Sequence, residues 1–216
     1  MMISNSILPV DGQLDKEDFT ELDEEIEVCY KLFSSNPNKV VKLPNVKFFK
    51  CKFIHIDFTN IDINETQFDC CIFENCSLAN YDLSKFGLTN CIFEKCKLVG
   101  MVINNSTIKN VTFDNCEGSY NDFSISKLIN VHFIDSKFFK TNFYKIDSKD
   151  LIFSHADISG SEFFESNLKE VDISSTTIND ITIDLRSLKG VIVSKNQALT
   201  LASILGIYIK EDLINK

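Results

Sequence analysis

Residues 48–73 read FFKCKFIHIDFTNIDINETQFDCCIF, with an apolar side chain at Phe48, Phe53, Phe58, Ile63, Phe68 and Phe73. The spacing is five. Followed outward to Val193, the column has thirty successive fifth positions, and all but Gly118 and Ser148 are Phe, Leu, Ile or Val. On an α-helix five residues advance a side chain by about 140°, so such a column would spiral around the axis. On a flat strand five steps reverse the face each time. These side chains can all point inward only if the chain turns a corner every five residues, which makes it a solenoid.

A second column supports this. Two residues before each central position the side chain is again small or apolar, as at Val46, Cys51, Ile56, Ile61, Cys71, Cys76, Cys91, Cys96, Met101, Val111 and Cys116. Residues two apart on an extended segment share a face, so each five-residue side inserts two side chains and shows three to water. Phe53, Phe73, Phe93, Phe113, Phe133 and Phe153 recur every twenty residues, as do Cys51, Cys71 and Cys91. A fifteen-residue step would pair Cys51 with Thr66 and Cys71 with Phe86. One coil is therefore four sides. About seven coils at ~4.8 Å give a rod of order 35 Å. Gly118 and Ser148 are expected to mark defects, where the core thins or the backbone bulges.

Cys51-Lys52-Phe53-Ile54-His55, Tyr81-Asp82-Leu83-Ser84-Lys85, Ala156-Asp157-Ile158-Ser159-Gly160 and Ser161-Glu162-Phe163-Phe164-Glu165 resemble the pentapeptide-repeat pattern of small residue, Asp or Asn, Leu or Phe, polar, variable. The resemblance implies an all-β solenoid, a right-handed quadrilateral β-helix, over about 46–195.

The formal charge of −9 argues against nucleic acid as a direct ligand, because phosphate binding needs clustered Lys and Arg. No run of about twenty apolar residues is present to span a membrane, and the first residues lack the basic region of a signal peptide. Six of the eight cysteines fall on the inward column, where free Cys serves as a small hydrophobe. Thiol ladders of this kind fit a reducing cytoplasm. They contain no His and no paired CxxC knuckle, so no metal and no cofactor is expected. The three histidines, His55, His132 and His155, fall on outward positions far apart in coil number. A filled interior leaves no deep pocket, and no nucleophile elbow or phosphate loop is present, so the chain reads as a non-enzyme.

The chain divides into an acidic capping segment (1–45), the repeats (46–195) and a C-terminal helix and tail (196–216). In the first, Asp11 to Glu27 holds nine carboxylates and one Lys, and Phe19, Leu22, Ile26, Cys29 or Tyr30 and Phe33 stand at helical spacing. The expectation is an amphipathic helix over the first coil; the same acidic segment is also a candidate contact for a basic partner. At the other end Ser194 and Gln197 form a capping box, Ala198, Leu201, Ala202 and Leu205 follow at helical spacing, and Gly206 stops the helix.

Leu185-Arg186-Ser187-Leu188-Lys189-Gly190-Val191-Ile192-Val193, with Gln197-Ala198 and Leu205-Gly206-Ile207, resembles the C-terminal module of the quinolone-resistance (Qnr-type) pentapeptide-repeat proteins. That resemblance implies a homodimer joined end to end through Ala198, Leu201, Ala202, Leu205, Ile207 and Ile209. Residues 46–145 carry eleven carboxylates and eleven lysines, whereas 146–185 carry Asp147, Asp150, Asp157, Glu162, Glu165, Glu170, Asp172, Asp180 and Asp184 against Lys149 and Lys169. Joined to the Qnr-type tail, this acidic end is expected to bind a type II topoisomerase, DNA gyrase or topoisomerase IV, as a DNA mimic. A scaffold that binds another protein through a solenoid face is the alternative.

Overall fold

The computed structural model describes residues 8–22, 27–43, 45–63, 66–84 and 87–210. Its architecture is a parallel solenoid whose register is twenty residues: Phe33 lies beside Phe53, Phe53 beside Phe73, Phe93 beside Phe113 and Phe133 beside Phe153. Five residues per side and twenty per coil give four sides, referred to below as first to fourth by the central residues Phe48, Phe53, Phe58 and Ile63. The strands Leu88–Glu94, Thr107–Asp114 and Lys127–Ile134 run through the corner between first and second sides and pair on both sides of the corner residue. On the third side, and on the fourth beyond the Val41–Lys42 and Ile61–Asp62 pair, adjacent coils are joined by single bridges, such as Lys97 to Glu117 and Asp122 to Asn142.

The centre of the rod is a column of stacked rings. Successive centroids along Phe33, Phe53, Phe73, Phe93, Phe113, Phe133 and Phe153 lie 4.5–5.2 Å apart, with interplanar angles of 4–18°. Parallel coils place identical side chains one strand spacing apart, which suits offset ring stacking. A second column, Phe123, Phe143 and Phe163, rises on the fourth side. Each side ends in a tight corner, and most corners hold a residue with φ between +46° and +71°, for example Asn75, Asn90, Asn110, Asn130 and Gly100. Asn tolerates the left-handed region better than most residues, which explains why Asn clusters at positions ending in 0 and 5.

The inward small position has a requirement that apolarity does not describe. Sγ of Cys71, Cys91, Cys96 and Cys116 donates to the carbonyl oxygen twenty-three residues earlier, at 3.3–3.5 Å. Oγ of Ser126, Ser136 and Ser161 does the same at 3.0–3.2 Å. The position accepts either a plain apolar side chain, as at Val111 and Val131, or a short one with a donor, and in the second case Cys and Ser are interchangeable. Burial in the apolar interior pushes the Cys71 thiol well up, so it stays protonated and inert.

Three expectations need correction. The expected N-terminal helix is not formed among the described residues of 11–33. Val28, Phe33 and Leu43 extend the five-residue column backwards, and Glu27, Leu32 and Val41 pair with Lys47, Lys52 and Ile61. The twenty-residue register therefore starts at Glu27 instead of 46, and Asp15–Lys16 pairs parallel with Lys31–Leu32 ahead of it. Ile26 lies outside the described residues. The first coil is covered by a short 3-10 turn, Phe19–Glu21, whose Phe19 ring sits 4.4 Å from Phe33 and tops the stack. Gly118 and Ser148 interrupt nothing. The Phe138 ring fills the space over Gly118, so that a Cβ there would lie 2.4 Å from it. Ser148 keeps register with Leu128 and donates to the Asn167 carbonyl. The third concerns His132, which is buried although its position is outward.

The C-terminal helix, Lys195–Ile204, carries the expected capping box: Gln197 N donates to Ser194 Oγ (3.3 Å) and Ser194 N to Gln197 Oε1 (2.8 Å). Gln197 Nε2 also donates to the carbonyls of Ile173 (2.7 Å) and Thr176 (2.8 Å), tying the helix to the last coils.

Candidate partner-binding surfaces

The nine carboxylates of the 146–185 segment do not form a patch on one side. They ring the rod. Asp147 stands on the first side and accepts from the Asn167 amide (3.2 Å). Asp150 and Glu170 take successive turns of the corner between first and second sides. Asp172 on the second side and Asp157 on the third each accept the N–H two residues ahead, from Ser174 (2.8 Å) and Ser159 (3.0 Å). Glu162 lies on the fourth side, paired in register with Thr182, and Asp180 at the corner before it. Glu165 pairs with Lys145 (3.1 Å) at the next corner.

The structure brings three of these together. Asp150, Glu170 and Asp172 line a groove of about 430 Å³ with Asn130, Leu151 and Ile152. It removes a fourth from contact duty. The Asp184 carboxylate accepts from the N–H groups of Glu165 (2.7 Å), Arg186 (2.8 Å) and Ser187 (3.0 Å) and from the Ser187 hydroxyl (2.8 Å). These donors, the Glu165 N–H foremost, hold its pKa down to about 2. Asp184 organises the 184–187 turn.

The tail residues also separate by role. Leu201 is buried in the rod's own core and seals the last coil, and Ala202 is half-buried. Ala198, Leu205, Ile207 and Ile209 are exposed, and Tyr208 is 99% exposed. An apolar end of this kind calls for a partner surface.

The corner between first and second sides holds a polar ladder. Asn130 Nδ2 donates to Asn110 Oδ1 (3.0 Å), Asn110 Nδ2 to Asn90 Oδ1 (2.8 Å) and Asn90 Nδ2 to Asp69 Oδ1 (3.1 Å). His132 Nε2 meets Asn130 Oδ1 at 3.1 Å, and burial lowers the His132 pKa. The twenty-residue recurrence of Asn90, Asn110 and Asn130 was the available signal. His55 and His155 are exposed, and among the described residues no group of three or more His, Cys, Asp or Glu is placed to hold a metal ion. No helix among them is long and apolar enough to cross a membrane.

The four sides differ in what they show to water. The second side carries Lys52, Ile72, Ile92, Thr112 and Ile152 in a row interrupted by the buried His132, and the N-terminal segment reaches its start, where Lys52 Nζ donates to Asp11 (3.0 Å). The third alternates charge, with Lys137 paired to Glu117 (3.8 Å). The fourth carries Val102, Asp122, Asn142 and Glu162 along its middle.

Residues 66–132 match the family model of the pentapeptide repeat region. Full-length QnrB1, a plasmid-mediated fluoroquinolone resistance protein, is similar in structure at 19% identity, over 84% of this chain and 100% of that one, with a TM-score of 0.37. HetL, a pentapeptide-repeat protein involved in heterocyst differentiation regulation in the cyanobacterium Nostoc sp. strain PCC 7120, is similar at 15% identity, over 79% and 90%, with a TM-score of 0.39. No curated protein sequence matches the chain.

Proposed function

The chain is a pentapeptide-repeat protein, and we propose that it is a non-enzymatic binding rod that engages DNA gyrase or topoisomerase IV as a mimic of duplex DNA. The observation that supports this is the ring of carboxylates from Asp147 to Asp180, which gives the last coils negative charge on every side. A duplex likewise presents charge around a rod, about one per 1.7 Å of axis. The exposed apolar tail, Ala198 to Ile209, joins two copies end to end, which places both acidic ends at the middle of a rod of about 70 Å.

Gyrase supercoiling, with and without a quinolone, tests the reading. The wild-type chain at micromolar concentration alters supercoiling or drug inhibition, and the variant with Asp150, Glu162, Glu170 and Asp180 changed to Lys loses the effect. The effect also weakens as salt screens surface charge. Failure of the wild-type chain to act ends this reading. The second reading, a scaffold for some other protein, is supported by apolar side chains exposed along the edges of the fourth side.

A further inference from the structure

We propose that the fourth side between Tyr120 and Phe164 is a docking surface for a segment of another protein in which apolar side chains alternate with Arg or Lys. This rests on the reading of the chain as a binding rod and names where and what it binds.

Two apolar edges bound this side. Tyr120 (58% exposed) leans on Phe139 with ring centroids 5.9 Å apart, and Tyr120 N donates to the Phe139 carbonyl (2.9 Å). Along the other edge Ile125 (57% exposed), Tyr144 and Phe164 (37% exposed) occupy three successive coils, joined by Ile125 N to Tyr144 O (2.8 Å) and Lys145 N to Phe164 O (2.9 Å). The edges are therefore held by the backbone ladder and preorganised for contact. Exposed aromatic side chains grouped in this way mark interaction surfaces.

Ile125 is the second, independent sign. Its φ is +58°, and among the described residues it is the one β-branched side chain in the left-handed region. The equivalent corner one coil earlier is Asn105 at φ +50° and one coil later Lys145 at +54°. A β-branched residue is strained there, and being largely exposed it adds little to the core. The fold has no use for isoleucine at this corner, and strain retained at an exposed position points to a contact.

Charge selects the partner. The row between the edges, Val102, Asp122, Asn142, Glu162 and Thr182 in register, holds two carboxylates and no lysine; Lys140 and Lys145 stand on the edges beside it. The rings already accept cations in cis: Lys145 Nζ stands 5.0 Å from the Tyr144 centroid, and Lys140 Nζ 5.8 Å from that of Tyr120. Incoming guanidinium or ammonium groups fit between carboxylate row and rings, and the apolar side chains of the same segment lie on the edges.

The test is an amide and methyl NMR titration of the full chain with an eight-residue peptide of alternating arginine and leucine. Saturable shifts are expected at Tyr120, Asp122, Ile125, Tyr144, Glu162 and Phe164. Ile125→Asn is expected to raise Tm, because Asn suits φ +58°, while weakening the peptide about threefold; Phe164→Ala weakens it about as much. Shifts that collect instead at Asp150, Glu170 and Asp172, or an Ile125→Asn variant that binds as well as wild type, overturn the proposal. So does the absence of saturable binding at millimolar peptide. The two readings fail separately: an Ile125→Asn/Phe164→Ala chain that still alters gyrase supercoiling leaves the topoisomerase reading standing on its carboxylate ring. Peptide binding by a chain inert toward gyrase leaves only the fourth-side proposal.

Discussion

The middle of the rod and its C-terminal end follow the same repeat but are built differently. From Leu88 to Ile134 the core is stacked phenylalanine, and strands of seven or eight residues pair through a corner. Beyond Ser154 the central column passes to Ile158, Phe163, Leu168, Ile173, Ile178 and Ile183, and adjacent coils are joined by isolated bridges. Val191 and Val193 are only half-buried. In a solenoid each coil contacts only its neighbours, so stability is graded along the axis. The coils that carry the acidic ring have less ring stacking than the middle and no strand longer than three residues, and they lean on a helix for closure.

The comparison breaks most visibly at the centre. Phe93→Asp buries a carboxylate in the ring stack with no partner and is expected to abolish cooperative melting by circular dichroism. Truncation graduates the difference: Phe113→Ala costs about 3–5 kcal/mol and Ile178→Ala about 2 kcal/mol in urea titrations. Equal costs would mean that the two halves are one cooperative block of uniform strength.

Removing the chain from Asn196 onward takes away the Gln197 bonds to Ile173 and Thr176 and the Leu201 seal. Hydrogen exchange should then accelerate across 157–192 and stay slow across 88–134, and the end-to-end dimer proposed above should be absent by light scattering. Leu201→Asp isolates the seal from the seam, since Leu201 faces its own core. Gly118→Ala is a smaller perturbation, an overpacking of about 1–3 kcal/mol, because the new Cβ must displace the Phe138 ring.

The smallest effect is a pH dependence. Asp184 has a folded pKa of about 2, below its ordinary 3.8, so its contribution is complete above about pH 4 and is lost as pH falls toward 2. The Tm gap between the chain and Asp184→Asn should hold constant from pH 5 to 7 and close at pH 2. A gap that persists at pH 2 would assign the turn to some other contact.

Much of the fold was legible because a period of five admits one solution. Phe53 to Phe153 could only stack, and Ser194 with Gln197 could only begin a helix. The segment before residue 46 misled because Phe19, Leu22 and Phe33 satisfy a helical spacing by chance, while Val28, Phe33 and Leu43 continue the true column. Sparse apolar residues in an acidic segment fit two periods equally well, and pairing with the next coil decided between them.

What the linear chain determined by itself is therefore the inward face: five residues per side, four sides per coil, and the order of ring, thiol and aliphatic layers. Those follow from burial, which acts on residue type and period alone. The outward face was decided only by the tertiary structure. Nine acidic letters became a ring with one member withdrawn into a turn, three asparagines became a hydrogen-bonded ladder, and Ile125 became a strained, exposed edge. The physical reason is that neighbours on the surface lie twenty residues apart in the chain. What each outward side chain does is set by the coil above and below it.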